Sequence, residues 1–190
     1  VMPLMNNKFR IADATPPLVI PYPDLGRFRR PSQQHLDRLH ATGVPLTALT
    51  GPPMVLLAYG FKAADGCFEE DLDGEPWLVF PEAADCIFWQ PRSGAMARWT
   101  NRAFAIGEDV VYNAATYAFD RCLNIFENPI HWLRAGRDGC VIVDWSQAFD
   151  RLRDCPRIAV AEGLLEKLGH HLQPPRLPEI LVLRQREAAE

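Results

Sequence analysis

Nine of the chain's seventeen prolines fall within its first 53 residues, including Pro16-Pro17, Pro21, Pro23 and Pro52-Pro53. Each proline fixes φ and removes a backbone donor, so this segment is neither a long helix nor a central strand. The sequence predicts an extended, Pro-rich arm over residues 1–53 carrying one short helix, Ser32 to Ala41. There Pro31 and Ser32 supply a start, Leu36 and Leu39 an apolar face, and Gly43 a stop.

From Met54 onward short apolar or alternating runs replace the prolines: Met54–Phe61, Trp77–Phe80, Cys86–Gln90 and Ala97–Ile106. Their length and alternation read as strands. Asp73-Gly74 is a hairpin signal between Cys67–Leu72 and Glu75–Phe80, and Arg92-Ser93-Gly94 turns the chain again. The expectation for residues 54–118 is an antiparallel, meander-like sheet.

The remainder, residues 119–184, alternates strand and helix. Asn128-Pro129 opens a helix that stops at Gly136, Cys140–Trp145 is a buried strand, and Ser146 starts a helix carrying Phe149 and Leu152. Arg157–Val160 is a short strand, Leu164, Leu165, Leu168 and Leu172 mark an amphipathic helix, and Ile180–Leu183 is a last strand. The fold class is α+β: a meander-like sheet joined to a β-α-β-α-β-like C-terminal unit in a single domain, 54–190, behind the Pro-rich arm.

Charge restricts the partners. Twenty basic against twenty-four acidic residues give a net charge of −4, which provides no global field for nucleic acid. By segment the balance is +3 over residues 1–53, −6 over 54–118 and −1 over 119–190. An anionic partner therefore has to meet a local patch. The sequence holds 17 Arg and 3 Lys, which points to a GC-rich, bacterial or bacteriophage genome.

Five cysteines stand 19, 36, 18 and 15 residues apart with no C-x-x-C pair, so neither a disulfide framework nor a metal site is indicated. A reducing cytoplasm is the expected compartment, and no run approaches the roughly 18 apolar residues that span a bilayer. No cofactor is expected, because the phosphate-binding glycine motifs of nucleotide and dinucleotide sites are absent.

Four features bear on chemistry. Asp144 and Glu162 each follow an apolar strand, where open α/β sheets place their ligand crevices, and would share Mg²⁺ if those strands were neighbours. The run Ile158-Ala159-Val160-Ala161-Glu162-Gly163 resembles the first motif of Toprim domains, in which the Glu acts in metal-dependent nucleic-acid chemistry. The resemblance covers about a dozen residues, and no Asp-x-Asp strand end follows Glu162. The alternative for both carboxylates is a helix start.

Secondly, Glu69 to Glu75 crowds five carboxylates without EF-hand spacing and reads as a solvated hairpin tip. Thirdly, Arg92, Arg98 and Arg102 interleave with Trp89, Trp99 and Phe104, and an extended strand puts Arg98, Arg102 and Phe104 on one face. Such a patch suits a stacking platform for single-stranded nucleic acid, a protein-interface hot spot, or an ordinary core with arginines outside. Fourthly, the arm carries Lys8, Arg10, Arg27, Arg29 and Arg30, and either binds a partner or straps its own domain. An arm of this kind also permits exchange between the subunits of a homodimer.

The functional expectation is a non-enzymatic binding or accessory protein acting through a protein interface. The alternatives are a nucleic-acid-associated protein using the Arg/Trp patch, and a Mg²⁺-dependent phosphodiester enzyme using Asp144 and Glu162.

Overall fold

The structure, a computed structural model, describes residues 21–174. Lys8, Arg10 and the expected strand Ile180–Leu183 lie outside the described residues. The α+β class holds: helices and strands mix, and a curled antiparallel sheet of five strands forms the larger part.

Helix α1 (Gln33–Ala41) lies within the expected segment. A second helix, α2 (Leu46–Thr50), follows Pro45 and ends at Gly51; at five residues it is too short to leave a periodic signature, and the burial of Ala48 and Leu49 holds it in place. Before α1 the described part of the arm, from residue 21 onward, packs on the sheet. A 3-10 turn over Leu25–Arg27 is capped by Asp24, Phe28 is buried, and Arg29 exchanges two backbone hydrogen bonds with Leu57 at 2.9 and 2.7 Å.

The sheet contains β1 (Leu56–Lys62), β2 (Phe68–Glu70), β3 (Glu75–Pro81), β4 (Cys86–Trp89) and β5 (Met96–Arg98), in the order β2-β1-β3-β4-β5. One expectation fails here: Asp73-Gly74 does not close a hairpin between β2 and β3. Both strands pair antiparallel with β1, meeting it at the same residue, Gly60↔Glu70 on one edge and Gly60↔Glu75 on the other. Residues 71–74 carry the chain across β1 at that point. The crossing requires two glycines, because a Cβ on Gly74 would stand 2.7 Å from the Gly60 backbone and one on Gly60 would overlap the Glu69 carbonyl.

Side chains alternate across the sheet as the pleat demands. Trp77 and Val79 of β3 point inward with Phe68, Phe88 and Ala97, while Leu78 and Phe80 point outward with Leu57, Ile87 and Trp89. Phe68 stacks on Phe88 at 3.9 Å, and a Cys67↔Arg98 bridge draws the two edges of the sheet toward each other around these rings. The outer side is covered by α1, α2 and α4 (Pro129–Arg134).

The expected strand Ala97–Ile106 is broken. After Arg98 the backbone wraps around the carboxylate of Asp85, which is fully buried and accepts hydrogen bonds from the N–H groups of Cys86, Thr100, Arg102 and Ala103 at 2.8–3.1 Å. Asn101 adopts φ 58° in this loop. Pairing resumes as β6 (Ala105–Ile106) in a different sheet, so Arg98, Arg102 and Phe104 do not share a strand face.

The C-terminal unit pairs β6 antiparallel with β8 (Val141–Ile142), and β7 (Leu123–Ile125) parallel with β9 (Ile158–Val160). An Ile125↔Cys140 bridge sets β7 beside the start of β8. Helix α3 (Asp109–Tyr112) follows β6, and Asn128 caps α4 by accepting the His131 N–H at 3.0 Å. Helix α5 (Ala148–Leu152) is entered through a 3-10 turn capped by Asp144, and α6 (Leu165–His171) closes the described chain. No helix among the described residues is long and apolar enough to cross a membrane.

Candidate functional site

Asp144 and Arg98 belong to two separate features of the sequence, and the fold joins them. Arg98 Nη1 donates to the Asp144 carboxylate at 2.9 Å and to the Ala103 carbonyl at 3.1 Å. Asp144 also accepts hydrogen bonds from the Ser146 backbone and hydroxyl and from the Gln147 amide. Burial pushes its pKa up, but the bonds from Ser146, Gln147 and Arg98 outweigh burial and hold the carboxyl well below the usual carboxylate range. It is a helix cap and half of an ion pair.

Glu162 is exposed beyond the end of β9. The strands bearing Asp144 and Glu162 are not neighbours, because β8 pairs with β6, β9 pairs with β7, and β7 stands between. The condition for a shared Mg²⁺ site is therefore unmet, since local runs reveal strands but not their order. Among the described residues no three His, Cys, Asp or Glu side chains are grouped to hold a metal ion.

The Arg/Trp patch is divided by the sheet. Trp89 is 4% exposed and belongs to the outer, helix-covered core, whereas Trp99 packs against the inner aromatic cluster. They form no common stacking platform. Trp99 donates its indole N–H to the Pro21 carbonyl, and Arg27 lies over its ring at 5.9 Å while pairing with Glu70. Arg29 covers the Tyr59 ring at 5.8 Å. Arg30 and Arg102 are exposed, and Arg92, also exposed, rims a cavity of about 250 Å³ floored by Leu39, Leu57 and Leu78. Asp71 caps its own turn in the acidic stretch by accepting the Asp73 N–H.

Among the described residues the most exposed aromatic side chain is one that the sequence does not mark. Phe119 is 99% exposed, and both Phe119 and Asp120 have left-handed backbones, φ 53° and 63°. A bulky residue at positive φ costs about 1–2 kcal/mol unless its surroundings enforce it. Here the turn is gripped from both sides: Arg157 donates to the Asp120 carbonyl at 3.2 Å and to its carboxylate at 3.0 Å, and Arg121 is tied to Asp138 at 2.9 Å. Tyr112, 59% exposed, is bound through its hydroxyl to Arg151. No sequence signal marks residue 119, since neither Ala-Phe-Asp nor its neighbours contains the glycine or asparagine that announces a left-handed turn.

Compared with family models, with curated proteins and with solved structures, the chain finds no match in any of the three.

Proposed function

We propose that the chain is a non-enzymatic binding or accessory protein of a bacterial or bacteriophage system, acting through a protein interface anchored by Phe119. The observation that carries this reading is the full exposure of that ring on a turn held in the left-handed region. Interface hot spots are aromatic groups presented rigidly, because a pre-ordered side chain loses little entropy when it docks. In the free chain the ring gains nothing from burial, and its backbone conformation is unfavourable. Both features favour a partner with an apolar pocket for Phe119.

Site-specific incorporation of a photo-crosslinking phenylalanine at position 119, in cells of the source organism, tests the proposal. The control is the same group at Leu72, which is also highly exposed. Discrete adducts from position 119 and not from 72 support the reading; an identical pattern from both positions, or none, overturns it. So does metal-dependent hydrolysis that disappears in Asp144→Asn or Glu162→Gln.

A second reading, nucleic-acid association, draws on the stack of Arg27 on Trp99 beside the exposed Arg29 and Arg30. Its test is single-stranded DNA or RNA binding across a salt series. Affinity falling steeply with salt, and lost in Trp99→Ala, supports it, and no binding at low salt removes it.

A further inference from the structure

The helices on the outer side of the curled sheet do not cover it completely. Between α1 and the cross-strand pair Leu57↔Leu78 of β1 and β3, a cavity of about 250 Å³ opens to solvent. Leu57, Leu78 and Leu39 of α1 form its floor, and Pro76 and Pro91 add apolar wall. A dry cavity of about 150 Å³ already takes up benzene, so this volume holds a ring with a short tail or a chain of several carbons. It lies just below the roughly 300–1,000 Å³ of sites for drug-sized ligands.

The rim of this cavity carries unpaired charge. Arg38 and Leu39 stand three and four positions after His35 on α1, so all three share the face that lines the cavity. Arg92, in the turn between β4 and β5, lines it from the sheet. Both arginines are exposed, and neither guanidinium has an ion-pair or hydrogen-bond partner among the described residues. By contrast Arg27, Arg98, Arg121, Arg151, Arg153 and Arg157 each pair with a carboxylate.

Glu75, at the start of β3, is the one acidic group of the lining among the described residues. Two guanidinium groups against one carboxylate leave the rim with a single net positive charge. The accessible donors therefore exceed what Glu75 can satisfy, and they stand at the mouth of an apolar floor.

A neutral apolar molecule would fill the floor and leave the arginines unmatched. A dianion would place its second charge against Glu75, and a cation would face both arginines. We propose that this cavity binds a small monocarboxylate with an apolar body, a medium-chain or phenyl-substituted alkanoate. Its hydrocarbon packs on Leu39, Leu57 and Leu78, which removes apolar surface from water. Its carboxylate stays at the mouth, where Arg38 and Arg92 donate to it; the planar guanidinium fork matches the two carboxylate oxygens. Phe119 is not part of this lining, so the site does not rest on the interface proposed above.

Calorimetric titration of the full 190-residue chain at pH 7 tests this. The probes are octanoate and 4-phenylbutanoate. The controls are 4-phenylbutanamide, which lacks the charge, acetate, which lacks the apolar body, and octanedioate, which adds a second carboxylate. Saturable binding of at least one monocarboxylate probe is expected, with all three controls at least tenfold weaker. Arg38→Gln and Arg92→Gln, both at exposed positions, should together weaken binding tenfold or more with the melting temperature unchanged, and Arg102→Gln, outside the cavity, should leave it intact. In methyl NMR spectra the bound probe should shift the signals of Leu39, Leu57 and Leu78 and not those of Leu164 and Leu168 in the C-terminal core. The proposal is overturned if neither monocarboxylate binds, if the amide binds as well as 4-phenylbutanoate, if the folded double variant binds normally, or if the floor leucines do not respond.

Discussion

Replacing Asp85 by Asn changes one atom at the point where β4, β5 and the 99–103 loop converge. The carboxylate is fully buried and satisfies four backbone N–H groups: Cys86 and Thr100 through one oxygen, Arg102 and Ala103 through the other. Asparagine keeps one oxygen and turns an NH₂ group toward two N–H donors, so two charge-assisted bonds become donor–donor contacts. At roughly 1.5–3 kcal/mol per bond to a charged acceptor, the expected loss is about 3–6 kcal/mol. That is a large part of the roughly 5–15 kcal/mol that keeps a domain folded. In urea, with a slope of about 2 kcal/mol/M, the midpoint should fall by about 2 M at unchanged slope. Amide exchange in the folded variant should accelerate first in residues 99–103. A midpoint shift below about 0.5 M would mean that the loop does not depend on the carboxylate, and the explanation for the broken strand after Arg98 would fail.

Gly60→Ala should abolish folding or lower the melting temperature drastically, because the new methyl overlaps the Glu69 carbonyl where the chain crosses β1; a melt within a few degrees of wild type would contradict the crossing. For Asp144, whose folded pKa is depressed, the ion pair and cap stabilise above the ordinary carboxylate pKa of about 4 and lose that contribution as pH falls toward the folded value. Wild type should therefore exceed Asp144→Asn in stability at pH 6, with the gap narrowing below about pH 4; a gap independent of pH refutes the assignment. Glu82 has the opposite sign. Its proton stabilises the folded state fully below about pH 4.3, and that contribution is lost as pH rises through about 7. Melting of wild type relative to Glu82→Gln should drop between pH 5 and 7.5, and parallel curves would contradict the burial of this carboxyl.

What could be read from the sequence was local. Asn128-Pro129 announces α4 because a capping side chain and a proline without N–H act within one turn. The runs at Trp77 and Cys86 announce β3 and β4 because strands buried on both faces are continuously apolar. Asp73-Gly74 marks a turn, but no local rule reveals that the chain then crosses to the other edge of β1; that follows from Gly60 and Gly74 lying against each other. Asp85 sits unremarked in Ala-Ala-Asp-Cys, and its four partners lie up to 18 residues away.

The site residues divide along the same line. Arg98 and Asp144 were conspicuous as charges beside strands, yet 46 residues separate them and their pairing is visible only in three dimensions. Phe119 carries no motif. Its exposure and positive φ are properties of the folded chain.

Phe119 is the proposed binding anchor. The direct measurement is the equilibrium affinity of the partner captured at position 119 for wild type and for Phe119→Ala, with Leu72→Ala as the exposed control. A hot-spot aromatic is worth about 2 kcal/mol or more, so Phe119→Ala should weaken binding about thirtyfold while Leu72→Ala leaves it unchanged. Equal affinities for wild type and Phe119→Ala would contradict the account.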